Sequence, residues 1–585
     1  MSKVFIFLLL SIFVFSCTDI KTKVQPNIIL IMSDDQGWGD LSCKGNTNLS
    51  TPNIDKLAET GITFDRFFVS PVCSPTRAEL LTGRYHVRGG VYATSRGGER
   101  LDLDEETIAE VFKRAGYNTA AYGKWHNGMQ PPYHPNSRGF NDYYGFCSGH
   151  WGNYFSPMLE HNGAIIKGNG YLTDDFTDHG LAFIEENKDK PFFLYLPFNT
   201  PHSPNQVPDR WWNKFENKDL QLLNRTPESE NILETKAALA MCENIDWNVG
   251  RITQKVEELG LLENTIIIYL SDNGPNTWRW NDGMKGKKGS TDEGGVRSPL
   301  IVKWEGTFKP GKKITQIAAA IDLLPTLCDL AQIEYSSKNK IDGISLKPLL
   351  LEEKPEWDER FIINHWRKTS IRSQQYRMDY DGKLFDMNKD PGQLKDIATE
   401  KPEVAKKLSS ALENWKNEVL SELPANDERP FTIGDPDFSF SQIPARDGTE
   451  SGAITRSDNS PNCTFFTNWV NENDSIFWPA EVLKSGKYEV ELYYTCPAKD
   501  VGSSIQLSFG DSNLITKILE PHDPPLKGME NDRVLRTQSY VKDFKRISMG
   551  IIQLEKGKGN LSLKATDIPG SQAMDFRLLM FKRVL

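Results

Sequence analysis

The sequence has no surplus of positive charge. It contains 69 Lys and Arg residues against 79 Asp and Glu residues, which gives a formal net charge of −10 at pH 7. A protein whose main partner is nucleic acid or an anionic membrane surface usually has the opposite balance, so we expect no nucleic acid partner. A small anionic substrate is compatible with this charge, because a local cationic pocket can form in an acidic protein.

Cysteine is sparse, and its spacing is irregular. The chain has eight cysteines, and no two of them form a Cys-x-x-Cys pair or another spacing typical of a metal site. Export would permit disulfides, but one sequence does not reveal their pairing, and we expect most of these residues to be buried free thiols. Cys17 and Cys73 have separate explanations, given below. The other six are Cys43, Cys147, Cys242, Cys328, Cys463 and Cys496.

Long apolar runs are absent except at the N-terminus. Val4–Phe15 is apolar, but it is shorter than the roughly 20 residues that a membrane-spanning helix needs. Residues 14–17, Val-Phe-Ser-Cys, resemble a bacterial lipobox at the end of a signal peptide. We therefore expect a lipoprotein signal peptide over 1–16, lipidation of Cys17 and a tether over 17–25. Such a protein is exported and held by a lipid anchor on the bacterial membrane, facing the periplasm or the cell surface. A plain signal peptide is the alternative.

The region 26–350 alternates between strand and helix patterns. Short continuous apolar runs, such as Asn27–Met32 and Thr265–Leu270, are typical of strands that are buried on both faces of a parallel sheet. Helical patterns, such as the one over 235–261, lie between these runs. The alternation predicts the α/β class, with a large, mostly parallel central sheet that is flanked by helices.

The rest of the chain has a different pattern of predicted secondary structure. Short strands followed by one helix predict a small antiparallel α+β subdomain over 351–422. A stretch rich in Pro, Asp, Ser and Gly predicts a linker over 423–452. Alternating strands predict an all-β sandwich over 453–585, which could resemble a carbohydrate-binding module. Four of its aromatic residues could form a platform for sugar rings, but the favoured interpretation is that they lie in the core or cover the preceding α/β region. They are Phe465, Phe466, Trp469 and Trp478.

Two polar clusters follow two of the predicted buried strands. Asp34 and Asp35 come after the first strand, and Asp272 and Asn273 come after the strand that begins at Thr265. Ligands of open α/β sheets bind at the carboxyl ends of strands, and neighbouring carboxylates repel each other unless a cation joins them. Three carboxylates and an amide oxygen suit Ca²⁺ or Mg²⁺ better than zinc. Taken singly, each cluster could instead be a turn or a helix cap.

The most specific motif surrounds Cys73. Residues 71–84 read PVCSPTRAELLTGR, and their core is Cys-x-Pro-x-Arg followed by x-x-Leu-x-Thr-Gly-Arg. This motif resembles the signature of the type I sulfatases, the formylglycine-dependent members of the alkaline-phosphatase-like superfamily. The resemblance implies that a formylglycine-generating maturation enzyme oxidises Cys73 to formylglycine. It also implies that an oxygen of this group joins the two polar clusters around a metal ion, with Ca²⁺ favoured over Mg²⁺.

Three further motifs resemble elements of the same family. They are Gly-Lys-Trp-His at 123–126, Thr-Pro-His-Ser-Pro at 200–204, and the two halves of a Lys-Gly and Glu-Gly-Gly-x-Arg-x-Pro element within 286–299. The resemblance covers roughly residues 26–420 and leaves the predicted sandwich outside. It implies the sulfatase fold and the hydrolysis of sulfate esters.

The resemblance also implies roles for single residues. The hydrated aldehyde at position 73 would attack sulfur, and the second hydroxyl would lose a proton as sulfate leaves. Arg77 would stabilise the nucleophile, and His126 would be the base that triggers the ejection of sulfate. His202 or Lys288 would protonate the leaving alcohol. The residues that would bind the substrate are Lys124, His202, Lys288 and Ser148.

Export, a lipid anchor and an added sandwich together favour an extended extracellular substrate. We expect a sulfated polysaccharide, or an oligosaccharide released from one, of the kind found in marine algae, with ulvan as the first candidate. Two other functions are open. One is a phosphatase or phosphonate monoester hydrolase of the same superfamily, although its two-zinc members use His-rich ligand sets that these Asp-Asp and Asp-Asn pairs lack. The other is a sugar-binding lipoprotein with an inactive site, in which Cys73 would stay unmodified.

Overall fold

The computed structural model describes residues 25–353, 356–424 and 426–584. The predicted signal peptide, Cys17 and nearly all of the tether lie outside this part. Within the described residues, no helix combines the length and the apolar content needed to cross a membrane.

An eleven-stranded sheet forms the centre of the described N-terminal region. Its order is β10-β2-β9-β8-β1-β7-β3-β4-β5-β6, and β11 pairs with β2 at one end. The strands are β1 (Asn27–Asp34), β2 (Ile62–Phe68), β3 (Asn118–Lys124), β4 (Asp142–Phe146), β5 (Met158–His161), β6 (Ala164–Lys167), β7 (Phe192–Pro201), β8 (Thr265–Ser271), β9 (Arg297–Trp304), β10 (Lys312–Ile314) and β11 (Ala318–Ala319).

The middle of this sheet is parallel. β1 pairs in parallel with β7 on one side and with β8 on the other, and β3 and β4 continue the parallel part beyond β7. Antiparallel pairs occur toward the ends, where β9 joins β8 to β2, and β5 joins β4 to β6. The predicted large, mostly parallel sheet is confirmed.

Helices cover both faces of the sheet, which explains the continuous apolar runs. Every residue of β1 is buried, with Leu30 in the hydrophobic cluster on one face and Ile31 in the cluster on the other. Helix α6 belongs to the second cluster and contributes Ile245 and Val249 to it. The helices are α1 (Pro52–Thr60), α2 (Cys73–Thr82), α3 (Ile108–Arg114), α4 (Leu172–Glu186), α5 (Asp209–Trp212), α6 (Ile232–Glu258), α7 (Glu293–Val296), α8 (Leu323–Leu330), α9 (Lys347–Leu351) and α10 (Pro402–Val419).

A small antiparallel sheet with one long helix follows, as the sequence predicts. Its strands pair in chain order, and Leu408, Leu412 and Trp415 of α10 share a hydrophobic cluster with Ile362 and Ile371 of the sheet. The strands are β12 (Ile362–Trp366), β13 (Lys368–Arg372), β14 (Tyr376–Met378) and β15 (Leu384–Asp386).

The C-terminal part is a β-sandwich of two six-stranded sheets within the described residues. One sheet has the order β16-β21-β26-β23-β24 with β18 beside β21, and the other has the order β19-β20-β27-β22-β25 with β17 beside β27. The strands are β16 (Phe431–Ile433), β17 (Phe440–Pro444), β18 (Thr449–Ser451), β19 (Thr455–Arg456), β20 (Phe466–Thr467), β21 (Ser475–Val482), β22 (Gly486–Thr495), β23 (Ser504–Phe509), β24 (Ser512–Lys517), β25 (Lys545–Leu554), β26 (Gly557–Asp567) and β27 (Asp575–Arg583).

The sandwich begins before the predicted boundary at residue 453. The segment 423–452, which the sequence predicts as a linker, contains β16, β17 and β18, and all three pair with strands of the sandwich. These strands have three to five residues each, so their apolar alternation is too short to stand out among the surrounding turn residues. Long-range pairing with β21 and β27, rather than local preference, makes them strands.

The four aromatic residues that could have formed a platform are buried. Phe465, Phe466, Trp469 and Trp478 are exposed by 5%, 1%, 1% and 0%, so they form no surface platform. The favoured prediction is confirmed for Phe466, Trp469 and Trp478, which belong to the hydrophobic cluster of the sandwich, while Phe465 is buried outside that cluster. The cysteines other than Cys17 are free thiols, and all of these except Cys43 are buried.

Candidate active site

The polar clusters lie side by side at the carboxyl ends of β1 and β8. Ser33 pairs with Ser271 at the last position of this ladder, so the residues that follow the two strands are brought together. Asp34, Asp35 and Asp272 are all buried. The backbone turns sharply at Asp35, which has a φ of 66°, and its N–H donates to Asp272 Oδ1 at 3.2 Å.

Each of the three carboxylates faces a cation. Arg77 of α2 donates to Asp272 at 2.8 Å, and the two side chains are fully buried. Lys124, the last residue of β3, donates to Asp34 at 2.6 Å. Because these groups are shut off from water, the alternating charges are what makes their burial tolerable.

A third cation, Lys288, lies 2.6 Å from Asp35 Oδ1. Burial alone would raise the pKa of Asp35, but Lys288 and His202 hold it below its ordinary value. Burial alone would likewise lower the pKa of Lys288, and Asp35 raises it above its ordinary value instead. Both groups are therefore charged at neutral pH, and Asp35 forms a direct ion pair in this structure.

The same groups fit a hard metal ion. Asp34 Oδ1 and Asn273 Oδ1 are buried and have no hydrogen-bond partner among the described residues. Ligand atoms of Asp34, Cys73 and Asp272 lie within 4.8 Å of one another, and so do those of Asp34, Asp35 and His202. Apart from His202 and the Cys73 sulfur, the donors are oxygens, which favours Ca²⁺ or Mg²⁺.

Cys73 is the first residue of α2, next to the carboxylates. Its side chain is 3% exposed, and burial raises the pKa of the thiol, although Lys124 and Lys288 oppose this effect. Because the thiolate and not the thiol is the nucleophile, an unmodified Cys73 is poorly activated for attack.

Two histidines approach this centre as neutral imidazoles. His126 Nε2 lies 2.8 Å from the Thr94 carbonyl oxygen, so this nitrogen carries the proton, and the buried Nδ1 has no partner among the described residues. Burial and the nearby Lys124 lower the pKa of His126 well below its ordinary value. His202 donates from Nδ1 to the Ser203 carbonyl oxygen at 2.6 Å, and burial together with Lys288 lowers its pKa to about 3.

A surface cleft opens above these groups. Cys73, His126, His202 and Lys288 all line it. Two predicted substrate-binding residues do not line it. The Lys124 ammonium group is buried against Asp34, and the buried Ser148 hydroxyl accepts a hydrogen bond from Arg446 of the sandwich at 3.2 Å. The structure thus brings together every predicted site residue within 26–350 except Ser148.

Sequence reasoning missed His150, which also lines the cleft. Its ring stacks on that of His202 with centroids 6.0 Å apart and an angle of 14° between the planes. Burial, and then the neighbouring His202, lower the pKa of His150 well below its ordinary value. Its partners Asn462 and Cys463 lie more than 300 positions further along the chain, so no local motif marks it.

Two family models match the chain. One, described as sulfatase, matches residues 26–333. The other, described as the C-terminal part of N-sulphoglucosamine sulphohydrolase, matches residues 287–418. Neither match reaches the sandwich.

Individual proteins of known name are similar over the same region. N-acetylgalactosamine-6-sulfatase of Mus musculus is 32% identical over 363 residues, which are 56% of this chain and 66% of that protein. Arylsulfatase A of Homo sapiens is 35% identical over 368 residues, which are 56% of this chain and 68% of that protein. The chain thus spans about two thirds of the length of both relatives.

A solved structure extends this similarity to the fold. It is described as the crystal structure of Ps i-CgsB in complex with k-i-k-neocarrahexaose, and it is 30% identical with a TM-score of 0.62. The match covers 68% of this chain and 95% of that one.

Proposed function

This chain belongs to the sulfatase family, and from that premise we propose that it hydrolyses the sulfate esters of a sulfated polysaccharide or of oligosaccharides released from one. The observation that carries the proposal is the position of Cys73. It begins α2 at the floor of an open cleft, where carboxylates and cations meet and neutral histidines line the wall. A sulfate monoester is an anion, and this is a place where its charge can be balanced.

We propose that Cys73 is oxidised to formylglycine by a maturation enzyme. The position of Cys73 at the start of α2, beside the carboxylates, supports this step. The raised pKa of the thiol shows in addition that an unmodified Cys73 would be a poor nucleophile. When hydrated, a formylglycine at this position supplies a hydroxyl nucleophile for sulfur.

We also propose that Ca²⁺ is the resident metal. Asp34, Asp35, Asp272 and Asn273 would hold it, and the two unpartnered oxygens of Asp34 and Asn273 support this assignment. A bound cation of this kind acts as a Lewis acid toward a sulfate oxygen. In the described structure, Lys288 forms an ion pair with Asp35, which is one of these four candidate ligands.

The remaining residues hold charge or move a proton. The Lys288 ammonium group lines the cleft and would attract the sulfate oxygens. Lys124, which is buried against Asp34, would add positive potential beside it. Arg77 is held in place by Asp272 and by the Lys124 carbonyl oxygen, which accepts at 2.6 Å. His126 is neutral with a free Nδ1 lone pair, as a general base requires. His202 and Lys288 both line the cleft and are the two candidates for protonating the leaving alcohol. Asp35 raises the pKa of Lys288, so this group holds its proton tightly, whereas burial and Lys288 lower the pKa of His202 to about 3.

The proposed substrate class is supported by the names of similar proteins and by the expected export of the chain. One relative is named for a sulfated amino sugar, and the similar solved structure holds an oligosaccharide. We propose that the chain is exported, carries a lipid anchor on Cys17 and acts on marine algal polymers, with ulvan the first candidate.

The experiment is sulfate release by the full chain co-expressed with a formylglycine-generating enzyme. The panel contains 4-nitrophenyl sulfate, 4-nitrophenyl phosphate, and defined oligosaccharides of ulvan, carrageenan and N-acetylgalactosamine 6-sulfate. We expect sulfate to be released from at least one oligosaccharide, and intact-mass analysis to show the aldehyde at position 73.

Cys73→Ala is the blank, and its activity should fall by on the order of 10⁴-fold or more, as for other lost nucleophiles. An active protein with an ordinary thiol at position 73 would contradict the formylglycine proposal. A higher kcat/KM on the phosphate ester would favour a phosphatase.

A further inference from the structure

The cleft above Cys73 is not made by the sulfatase region alone. Its lining includes Asn459, Ser460 and Asn462, from the segment between β19 and β20 of the sandwich, and Gln538, from the segment between β24 and β25. The family models end at residue 418, so this side of the cleft has no counterpart in their matches.

Buried polar contacts fix the first of these segments against the sulfatase region. Asn462 accepts a hydrogen bond from the Gly149 backbone N–H at 3.1 Å, next to His150. Arg446 forms an ion pair with Glu99, and both side chains are 1% exposed. These contacts join the sandwich to the sulfatase region beside the cleft.

The second segment, residues 518–544, packs along the chain that follows His202. The Arg533 backbone N–H donates to the Asn205 carbonyl oxygen at 3.0 Å, and Gln206 donates to the Gly528 carbonyl oxygen at 2.7 Å. At the cleft end of this contact, Gln538 Nε2 donates to Ser203 Oγ at 2.8 Å. The long connection between β24 and β25 thus reaches the residue next to His202.

The polar groups that the sandwich places in the cleft are neutral. Gln538 Oε1 is buried and has no partner among the described residues, whereas Asn459 and Ser460 are exposed at the rim. Amide and hydroxyl groups pair with the hydroxyls of a sugar, and an unpartnered buried amide oxygen is an acceptor that a substrate hydroxyl can satisfy. Trp366, from the small antiparallel sheet, also lines the cleft and adds an apolar surface suited to a sugar ring.

We propose that the β-sandwich completes the active site and contacts the sugar that carries the sulfate, with Gln538, Asn459 and Ser460 as specificity-determining residues. The inference rests on the proposed function and deepens it. The sandwich then forms one wall of the catalytic cleft. Phe465, Phe466, Trp469 and Trp478 are buried, so these four residues do not form the separate sugar-stacking platform that the sequence allowed. The proposed ligand is the set of hydroxyl groups on the sugar that carries the sulfate and that leaves as the alcohol.

The test compares two substrates on the full chain. The quantity is the ratio of kcat/KM for the best oligosaccharide of the panel to kcat/KM for 4-nitrophenyl sulfate, whose small leaving group lacks sugar hydroxyls. Replacing Gln538 by Leu should lower this ratio about tenfold, as expected when a buried hydrogen bond is lost. The exposed double variant Asn459→Ala/Ser460→Ala should lower it about threefold to tenfold without a folding defect.

Gln553→Leu is the matched control, because Gln553 is an exposed residue of β25 in the same sandwich. Its ratio should equal that of the wild type. If Gln538 acted only by holding Ser203 and His202, both substrates would lose activity equally and the ratio would stay constant, which would overturn the proposal.

Two further outcomes separate this inference from the proposed function. A wild type that cleaves 4-nitrophenyl sulfate but no oligosaccharide would reject the sugar contact and keep the sulfatase activity. A mature wild type that releases no sulfate from any substrate would reject the proposed function itself.

Discussion

The strand ends of the central sheet and the interior of the sandwich bury very different side chains. Asp34, Arg77, Lys124 and Asp272 are each 0% exposed and lie within one network of charges. The sandwich interior is instead a continuous apolar cluster around residues such as Trp478. Burial of apolar surface stabilises a fold, whereas burial of charge costs free energy even when the charges are paired.

The difference indicates that the strand ends of the central sheet hold the reactive groups, whereas the sandwich provides a stable surface beside them. The sheet tolerates destabilising charges because its apolar faces are covered by helices on both sides. The sandwich contributes stability and a rigid surface, and toward the cleft it presents amides and a hydroxyl rather than charges. Three predictions test this division, beginning with the largest expected effect.

Replacing Asp272 by Asn should lower the activity without lowering the stability of the metal-free protein. Burial, and then the neighbouring Asp34, raise the pKa of Asp272 to about 6 although Arg77 opposes them, so its negative charge is unfavourable in the folded state above that pH. Loss of this proposed metal ligand should lower kcat/KM by more than about 100-fold, because replacing a residue that only hydrogen-bonds to a metal ligand already costs about 10- to 100-fold. In chelated protein at pH 8, the variant should be more stable, by on the order of 1 kcal/mol.

Thermal unfolding with EGTA and then with added Ca²⁺ measures both parts of this prediction. Ca²⁺ should raise the Tm of the wild type more than that of the variant. Asp511→Asn, at an exposed turn of the sandwich, is the control and should change neither quantity. A chelated Asp272→Asn protein that melts well below the wild type would show that the pairing with Arg77 outweighs the repulsion.

The second prediction concerns Glu79, a buried carboxylate of α2. Its oxygen accepts hydrogen bonds from the Ser70 hydroxyl at 3.1 Å and from the His86 backbone N–H at 3.4 Å, but burial still raises its pKa from 4.5 to about 8. Between these two values the folded state holds a proton that the unfolded state has lost. The free energy of unfolding therefore falls as pH rises from 4.5 to 8.

Glu79→Gln should remove this dependence. The variant and the wild type should have similar Tm values near pH 4.5, and the variant should be the more stable one at pH 8.5, by on the order of 2–4 kcal/mol. Thermal unfolding across this range measures the difference, with Glu472→Gln, at an exposed position of the sandwich, as the control for the global effect of pH. A Tm difference that does not grow with pH would mean that Glu79 is ionised at little cost.

Much of the charged centre could be predicted from the sequence, because its residues are tied to local patterns. A run of apolar residues that ends in Asp-Asp or in Ser-Asp-Asn marks a strand end, and parallel pairing then brings Asp34 and Asp272 together. The motif around Cys73 places Arg77 one helical turn away, so one segment supplies both the modified residue and its neighbour. The sheet and the four metal-binding candidates follow from these patterns.

The contribution of the sandwich could not be predicted in this way. Asn462 and Gln538 reach the cleft only because two regions of the chain pack together, and their sequence surroundings resemble ordinary turns. The strand β16 is too short to show a period and exists through its pairing with β21. The role of Ser148 stays a prediction, because its motif lies beside the cleft while its hydroxyl accepts a hydrogen bond from Arg446.

The third prediction concerns Ser148 and has the smallest expected effect. It tests whether this residue belongs to the contact with the sandwich or to the substrate site. If the hydroxyl belongs to the contact with the sandwich, Ser148→Ala removes one acceptor from Arg446, which keeps its ion pair with Glu99. The cost should be about 1 kcal/mol in the free energy of unfolding, with KM for the best oligosaccharide within twofold of the wild type. Ser439→Ala, at an exposed position of the sandwich, should change neither value. A large increase in KM with an unchanged Tm would instead show that Ser148 binds the substrate. Sugar binding would then depend on a residue of the sulfatase region as well as on the neutral residues of the sandwich.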